Sequence, residues 1–332
     1  MGETSLRGVA RAAIGFGISI VALVLALRGV DLGQAVDIAT SATPAWVAAM
    51  LGFTVLDIAT RSARWQRLLR PVAAVPYLRM AAYLTVGYLG NNVLPARLGE
   101  LVRSHYLGER EEISRTTTLG TVVVERVIDL TIVVLIAAGA ILLLAVRGVV
   151  VSAVVIGLVV AGLMVLGLAV ALVAHRIPGA DRVTAAAGRW PIVTRLGARL
   201  RDGLAVAGRP RTLAEAVGLS LVAWSFSSLV FAAAGQSIGV ELALGQAALM
   251  ASGTALATAI PSGPGYFGTF ELAGVQIAQS FGIDADSAFA LTLLAHASVL
   301  VVTSASGAVS LIWLTRGSGR SGRTADHGRQ AC

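Results

Sequence analysis

Gly90-Asn91-Asn92-Val93-Leu94-Pro95-Ala96-Arg97-Leu98-Gly99-Glu100 interrupts one apolar stretch of this chain, and Pro261-Ser262-Gly263-Pro264-Gly265-Tyr266-Phe267-Gly268-Thr269-Phe270-Glu271 interrupts another. Proline removes an amide donor and disfavours helix at the residue before it, while glycine releases the backbone. Pro95 and Gly99 therefore break the first stretch; Pro261, Gly263, Pro264, Gly265 and Gly268 break the second. Each stretch resumes on a glutamate, and the two glutamates lie 171 residues apart. Paired, interrupted hydrophobic segments in corresponding places point to the substrate site of a membrane transporter.

The composition sets the class. Of 332 residues, 56% are hydrophobic and 13% charged, with a mean hydropathy of +0.80. A soluble domain carries about 25% charged residues, so most of this surface faces lipid. Residues 149–174, 216–234 and 288–314 lack Asp, Glu, Lys and Arg and exceed the ~18 residues that mark a spanning helix. The net charge is +8 and every basic residue is arginine. These arginines fall in the gaps between apolar runs, which fits anionic headgroups rather than nucleic acid. Cys332 is the single cysteine, which excludes a disulfide framework and a cysteine metal site. The histidines, at 105, 175, 296 and 327, show no ligand spacing, so neither metal nor cofactor is expected.

Candidate spans cover 9–27, 44–59, 118–146, 149–174, 214–235 and 288–314. Arg7 and Arg11 precede the first and Arg28 follows it without a small-x-small cleavage site, so it reads as a retained helix. Residues 59–79 hold five arginines and no acid, and residues 175–212 hold eight arginines against Asp181 and Asp202. The positive-inside rule places both segments and both termini in the cytoplasm of a multi-pass cell-membrane protein. Residues 97–117 carry Arg97, Glu100, Arg103, Glu109, Arg110, Glu111, Glu112 and Arg115. At ~2.5–3.5 kcal/mol per central charge they cannot face lipid, so 80–108 is expected as a re-entrant hairpin. Residues 243–281 form either a second hairpin or two thin spans.

The expected fold is thus an all-α polytopic membrane protein with six full spans and two re-entrant or broken helical hairpins. One transmembrane domain, 1–314, divides into inverted repeats of about 1–146 and 147–314, with a basic loop at 175–212 and a disordered basic tail at 315–332.

Polar residues at the breaks are the candidate site. Asn91, Asn92, Arg97, Glu100 and Arg103 sit at the first tip; a helix restarting near Arg97 would offer free amides and a guanidinium fork to a phosphate. Glu125, Arg126 and Asp129 share a helical stripe with Thr118 and Thr121, and ionisable groups within a span are functional candidates. Ser262 and Glu271 belong to the second break. His296 stands 25 residues beyond Glu271, as Glu125 stands beyond Glu100. Arg97, Arg103 and Arg126 are expected to bind a headgroup, with Asn91, Asn92, Glu100, Ser262 and Glu271 beside them. Glu125, Asp129 and His296 are expected to balance charge or couple protons. The run Thr60–Arg70, with arginines at 61, 64, 67 and 70, reads as an interfacial anchor.

Three blocks, Asn91-Asn92-x-Leu94-Pro95-x-Arg97-x-Gly99-Glu100-x-x-Arg103, Glu125-Arg126-x-x-Asp129 and Pro261-x-x-x-Gly265-x-x-Gly268-x-x-Glu271, resemble the flippase-like family of the lysylphosphatidylglycerol synthase transmembrane region. The resemblance implies a polytopic lipid translocase that moves a lipid headgroup between leaflets; the arginine cluster points to an anionic, phosphate-bearing or polyprenyl-phosphate headgroup. The family's aminoacylating members carry a soluble synthase domain after the membrane part, which the tail 315–332 does not supply, so no enzymatic activity is expected. A lipid-modifying enzyme and a solute or ion antiporter on the same plan are the alternatives.

Overall fold

The computed structural model describes residues 3–94, 98–145, 149–173 and 204–321. Pro95, Arg97, most of the basic loop and the tail from 322 lie outside them. Every described element is helical: α1 Glu3–Ala26, α2 Leu32–Thr40, α3 Pro44–Leu69, α4 Tyr77–Val93, α5 Gly99–Arg110, α6 Arg115–Leu144, α7 Val149–Val173, α8 Pro210–Ser237, α9 Leu244–Ala257, α10 Thr269–Gln279 and α11 Ala285–Ser321, with short 3-10 turns at Ala205–Gly208 and Pro264–Tyr266.

Local chemistry sets the boundaries. The Asp31 carboxylate accepts hydrogen bonds from the Gly33 and Gln34 amides and so caps α2. Pro44 and Pro210 open α3 and α8, where a missing N–H is harmless. Gln246 reaches back to the Ala243 amide at 2.9 Å to start α9. α4 stops where Leu94, just before Pro95, turns extended, as the pre-proline restriction requires. α11 runs on to Ser321, past the expected tail boundary; no proline follows Leu314 to stop a growing helix.

Four helices, α6, α7, α8 and α11, are long and apolar enough to cross a membrane, or five if the bent α2–α3 pair is one span. α1 contributes a shorter apolar stretch, Ala13–Ala26. α3 is longer than the expected 44–59 span: its 26 residues reach about 39 Å and carry Asp57, Arg61, Arg64 and Arg67 inside the helix. α2 meets α3 at 86°, with Leu32 and Val36 exposed, the disposition of a short interfacial helix.

Both interrupted segments are helix–break–helix hairpins whose arms pack on each other: α4 on α5, and α9 on α10. The arms are 17, 12, 14 and 11 residues long, so only α4 reaches the short end of the ~17–25 residues of a crossing helix. A Cβ on Gly87 of α4 would lie 3.0 Å from the Arg103 Cβ of α5, so the first hairpin closes on a glycine. α4 also lies along α11. Thr85 Oγ1 is 2.9 Å from Ser310 Oγ, and Asn92 Nδ2 donates to Thr303 and Ser304. The numbering runs in opposite senses, so the two helices are antiparallel. α9 packs on α6, and α3 against α8. The second break rests on α1, where Gly263 donates to Ser19 Oγ at 2.8 Å.

Candidate functional site

Six ionisable side chains of α3, α5 and α6 gather inside the bundle. Arg64 is fully buried. Its Nη1 bonds Asp129 Oδ1 and, at 2.7 Å, Ser220 Oγ of α8; its Nη2 lies 3.0 Å from Asp129 Oδ2 and 3.1 Å from Glu125 Oε1. Arg103 grips the other side of Glu125 at 3.1 and 3.3 Å and lies 4.5 Å over the Trp65 ring. Arg61 holds Asp57 at 2.8 and 3.0 Å, reaches Ser227 at 3.3 Å and sits 4.7 Å over Trp224. Trp224 in turn donates to Asp129 at 3.3 Å. Removing one partner of such a buried pair costs about 3–5 kcal/mol, so this network pins α3, α5, α6 and α8 together.

Against the network opens a cavity of about 240 Å³. Its charged and polar lining includes Asp57 and Arg61 of α3, Tyr88, Asn91 and Asn92 of α4, Glu100 of α5, Arg126 of α6 and Ser227 of α8, with Thr54, Thr254, Thr258 and Thr303. Its apolar lining includes Val230 and Phe231 of α8, Ala251 and Ala255 of α9, Phe270 of α10, and Val299 and Leu300 of α11; His296 also lines it. Arg126 is the accessible cation, its side chain 37% exposed, with Nη2 3.1 Å from Glu125 and 3.8 Å from Glu100. Arg126 Nε and Glu100 Oε2 are buried without a protein partner. A buried polar atom left unpaired is costly, so both atoms are suited to a ligand or to water.

Of the residues expected at the site, Asn91, Asn92, Glu100, Arg126 and His296 line the cavity. Asn91 also accepts from the Gly99 amide at 2.8 Å, and Glu100 occupies the first turn of α5. At that helix start one amide is thus taken and a carboxylate stands in the first turn. Arg103 does not line the cavity; it is 2% exposed and spent on Glu125. Glu125 and Asp129 are buried in the arginine network. Arg126 does not pair with Asp129 one turn on, because Arg64 and Arg61 claim that carboxylate. Ser262 lies in the second break, with a buried hydroxyl that has no partner, near Gly15 of α1 rather than in the cavity. Glu271 bonds His296. Arg97 lies outside the described residues.

Three charges were missed as site residues. Arg61 and Arg64 are no interfacial anchor, and Asp57 was not singled out at all. Asp57, Arg61 and Arg64 follow an i, i+4, i+7 spacing that puts them on one helix face, shared with buried Leu68. That alignment, read together with the acid, was the available signal. Among the described residues no group of three or more His, Cys, Asp or Glu is arranged to hold a metal ion.

A stretch of 135 residues, 40% of this chain, is 30% identical to the glycosyltransferase AglD of Haloferax volcanii and covers 21% of that protein's length. The lysylphosphatidylglycerol synthase TM region, as a family model, matches residues 12–307. The chain, an all-helical multi-pass membrane protein, belongs to that family.

Proposed function

We propose that this protein is a transporter that moves a lipid with an anionic, phosphate-bearing head between leaflets. The observation that carries the proposal is one cavity lined both by charged side chains, Arg61, Arg126 and Glu100, and by apolar ones, Phe231, Phe270 and Leu300. Its volume of about 240 Å³ is below the ~300–1,000 Å³ of drug-sized pockets. A headgroup fits; acyl chains do not, and stay in the bilayer. The phosphate would meet Arg126, whose Nε has no protein partner; Arg97, outside the described residues, stays a proposal from sequence alone.

An inverted repeat of six spans and two hairpins is part of the proposal. The packing pairs support it. Exchanging α3 with α8, α4 with α9, α5 with α10 and α6 with α11 turns the contact α4–α11 into α9–α6 and α5–α6 into α10–α11. Hairpins entering from opposite faces around a fixed site suit alternating access. Cytoplasmic termini follow from the arginine distribution.

The test uses vesicles of phosphatidylcholine and phosphatidylglycerol with a trace of fluorescent phosphatidylglycerol, read by dithionite quenching. Wild type accelerates transfer, and Arg126→Gln and Glu100→Gln each slow it about tenfold, or ~1.4 kcal/mol. Wild-type rates in both variants sink the site assignment. No transfer of this probe or of a polyprenyl phosphate by wild type sinks the transport reading. A membrane transferase acting on a lipid head is the second reading, favoured by the activity after which the Haloferax volcanii relative is named. A chemically altered lipid recovered from the same vesicles would support it.

A further inference from the structure

We infer that Glu271 and His296 form a proton-binding site whose occupancy is coupled to that of the cavity, so that an anionic headgroup and a proton travel together; this rests on the transport reading above.

His296 Nδ1 lies 2.5 Å from Glu271 Oε1, and the two side chains are 2% and 1% exposed. The imidazole lines the cavity and stacks on Phe270 at 4.1 Å. Glu271 engages Nδ1, so Nε2 is the ring's remaining exchangeable nitrogen.

What sets this pair apart is its counter-charge. Glu125, Asp129 and Asp57 each face at least one guanidinium, whose charge is permanent. Among the described residues Glu271 has only His296, which is cationic only when protonated. With the proton, the pair is neutral overall; without it, a buried carboxylate stands alone, which is costly. The 171-residue offset relates Glu100 to Glu271 and Glu125 to His296. The first half thus holds an arginine-locked carboxylate where the second holds a titratable ring.

The remaining charged or titratable groups at the cavity are Asp57 and Arg61 of α3, Tyr88 of α4, Glu100 of α5, Arg126 of α6 and Tyr266 of the second break. α8, α9 and α11 add no other ionisable group, and α1 meets the break through Ser19. An anion drawn in by Arg126 adds negative charge to a cavity that His296 lines and favours its imidazolium. By linkage, protonation must raise affinity for the anion by the same factor. One proton then offsets one headgroup charge.

The pair also touches the backbone that would move. Glu271 Oε2 accepts from the Gly268 amide at 2.6 Å. Gly268 has φ +89° and packs on the Ser19 backbone of α1 closely enough that a Cβ there would lie 3.0 Å from the Leu23 amide nitrogen. Losing the proton therefore removes the counter-charge of the carboxylate that fixes the start of α10.

Two measurements test this. In weak buffer, stepped upward in pH until the free protein has released this proton, adding soluble dihexanoyl-phosphatidylglycerol to the purified protein should draw protons from solution, read by a pH dye, at up to about one per bound lipid. His296→Gln and Glu271→Gln should bind the lipid several-fold more weakly, and without that uptake. In the vesicles above, an acidic exterior should speed inward transfer several-fold in wild type, and His296→Gln should keep residual transfer with no response to the gradient. Lipid binding by wild type without proton uptake overturns the inference, as does an unchanged pH response in His296→Gln; both leave the transport reading intact. Absence of binding and of transfer at every pH overturns both.

Discussion

Arg103 of α5 and Glu125 of α6 meet in a two-pronged ion pair, Nη1 to Oε2 at 3.1 Å and Nη2 to Oε1 at 3.3 Å. A paired fork of this kind holds orientation as well as charge, and here it fixes the returning arm of the first hairpin to α6. Arg103→Ala should cost about 3–5 kcal/mol, because it strands part of a buried carboxylate's charge. Combining Arg103→Met with Glu125→Gln should cost less than the sum of the two single changes. Thermal melts in detergent would check this; strict additivity would mean that the pair does not couple.

Arg64 serves two carboxylates at once, Glu125 and Asp129. A lysine there keeps the charge but not the planar fork. Arg64→Lys should therefore lose stability, while Arg67→Lys, at a half-exposed position paired with Glu215 at 3.4 Å, should change it by less than about 1 kcal/mol. Equal melting temperatures for the two variants would contradict the burial of Arg64.

Gly307 lets α4 lie close on α11. A Cβ there would come within 2.5 Å of the Thr85 carbonyl and 2.6 Å of Leu89 Cβ. Gly307→Leu should cost about 1–3 kcal/mol by overpacking. It should also separate the tip of α4 from Thr303, so cysteines placed at 92 and 304 on a Cys332→Ser background should cross-link on oxidation, and lose that link when Leu occupies 307. Cross-linking that persists would show that α4 does not need the gap.

Asp284 caps α11 just before its apolar candidate span. It accepts from the Ser287 amide at 2.9 Å, and that bond holds its carboxyl below the usual carboxylate range. A depressed folded value means the contribution is present above the unfolded pKa and fades as pH falls through the folded one. Asp284→Ala should cost about 1 kcal/mol at pH 7, and the gap between wild type and variant should narrow below about pH 4. A gap that does not change with pH would assign the cap to something other than the charged carboxylate.

The two breaks were legible because Pro95 and the Pro261–Gly268 cluster are local signals, whereas the sequence left 243–281 as either a hairpin or two thin spans, because the packing of its arms on each other is a tertiary contact. The cavity was half legible. Asn91, Glu100, Arg126 and His296 stood out as polar residues in apolar surroundings, whereas Tyr88, Ser227 and Phe231 look like any helix residues and are selected only by packing. Arg61 and Arg64 were misread because a run of arginines beside Trp65 has the composition of an interfacial anchor. Their partner Asp129 lies 65 residues from Arg64, beyond the reach of any periodicity. With both turned inward, the positive-inside argument for that segment rests on Arg67, Arg70 and Arg79.

The separation of Arg64 from Asp129 has a consequence for biogenesis. When α3 leaves the ribosome, Asp57 is already beside Arg61, but the acids that neutralise Arg64 have not been translated. The newborn helix must ride high, its guanidinium in the headgroup layer, and sink only as α6 arrives to meet it. Insertion of this protein is then a two-step affair, and the interval between the steps is when an insertase or chaperone has something to hold.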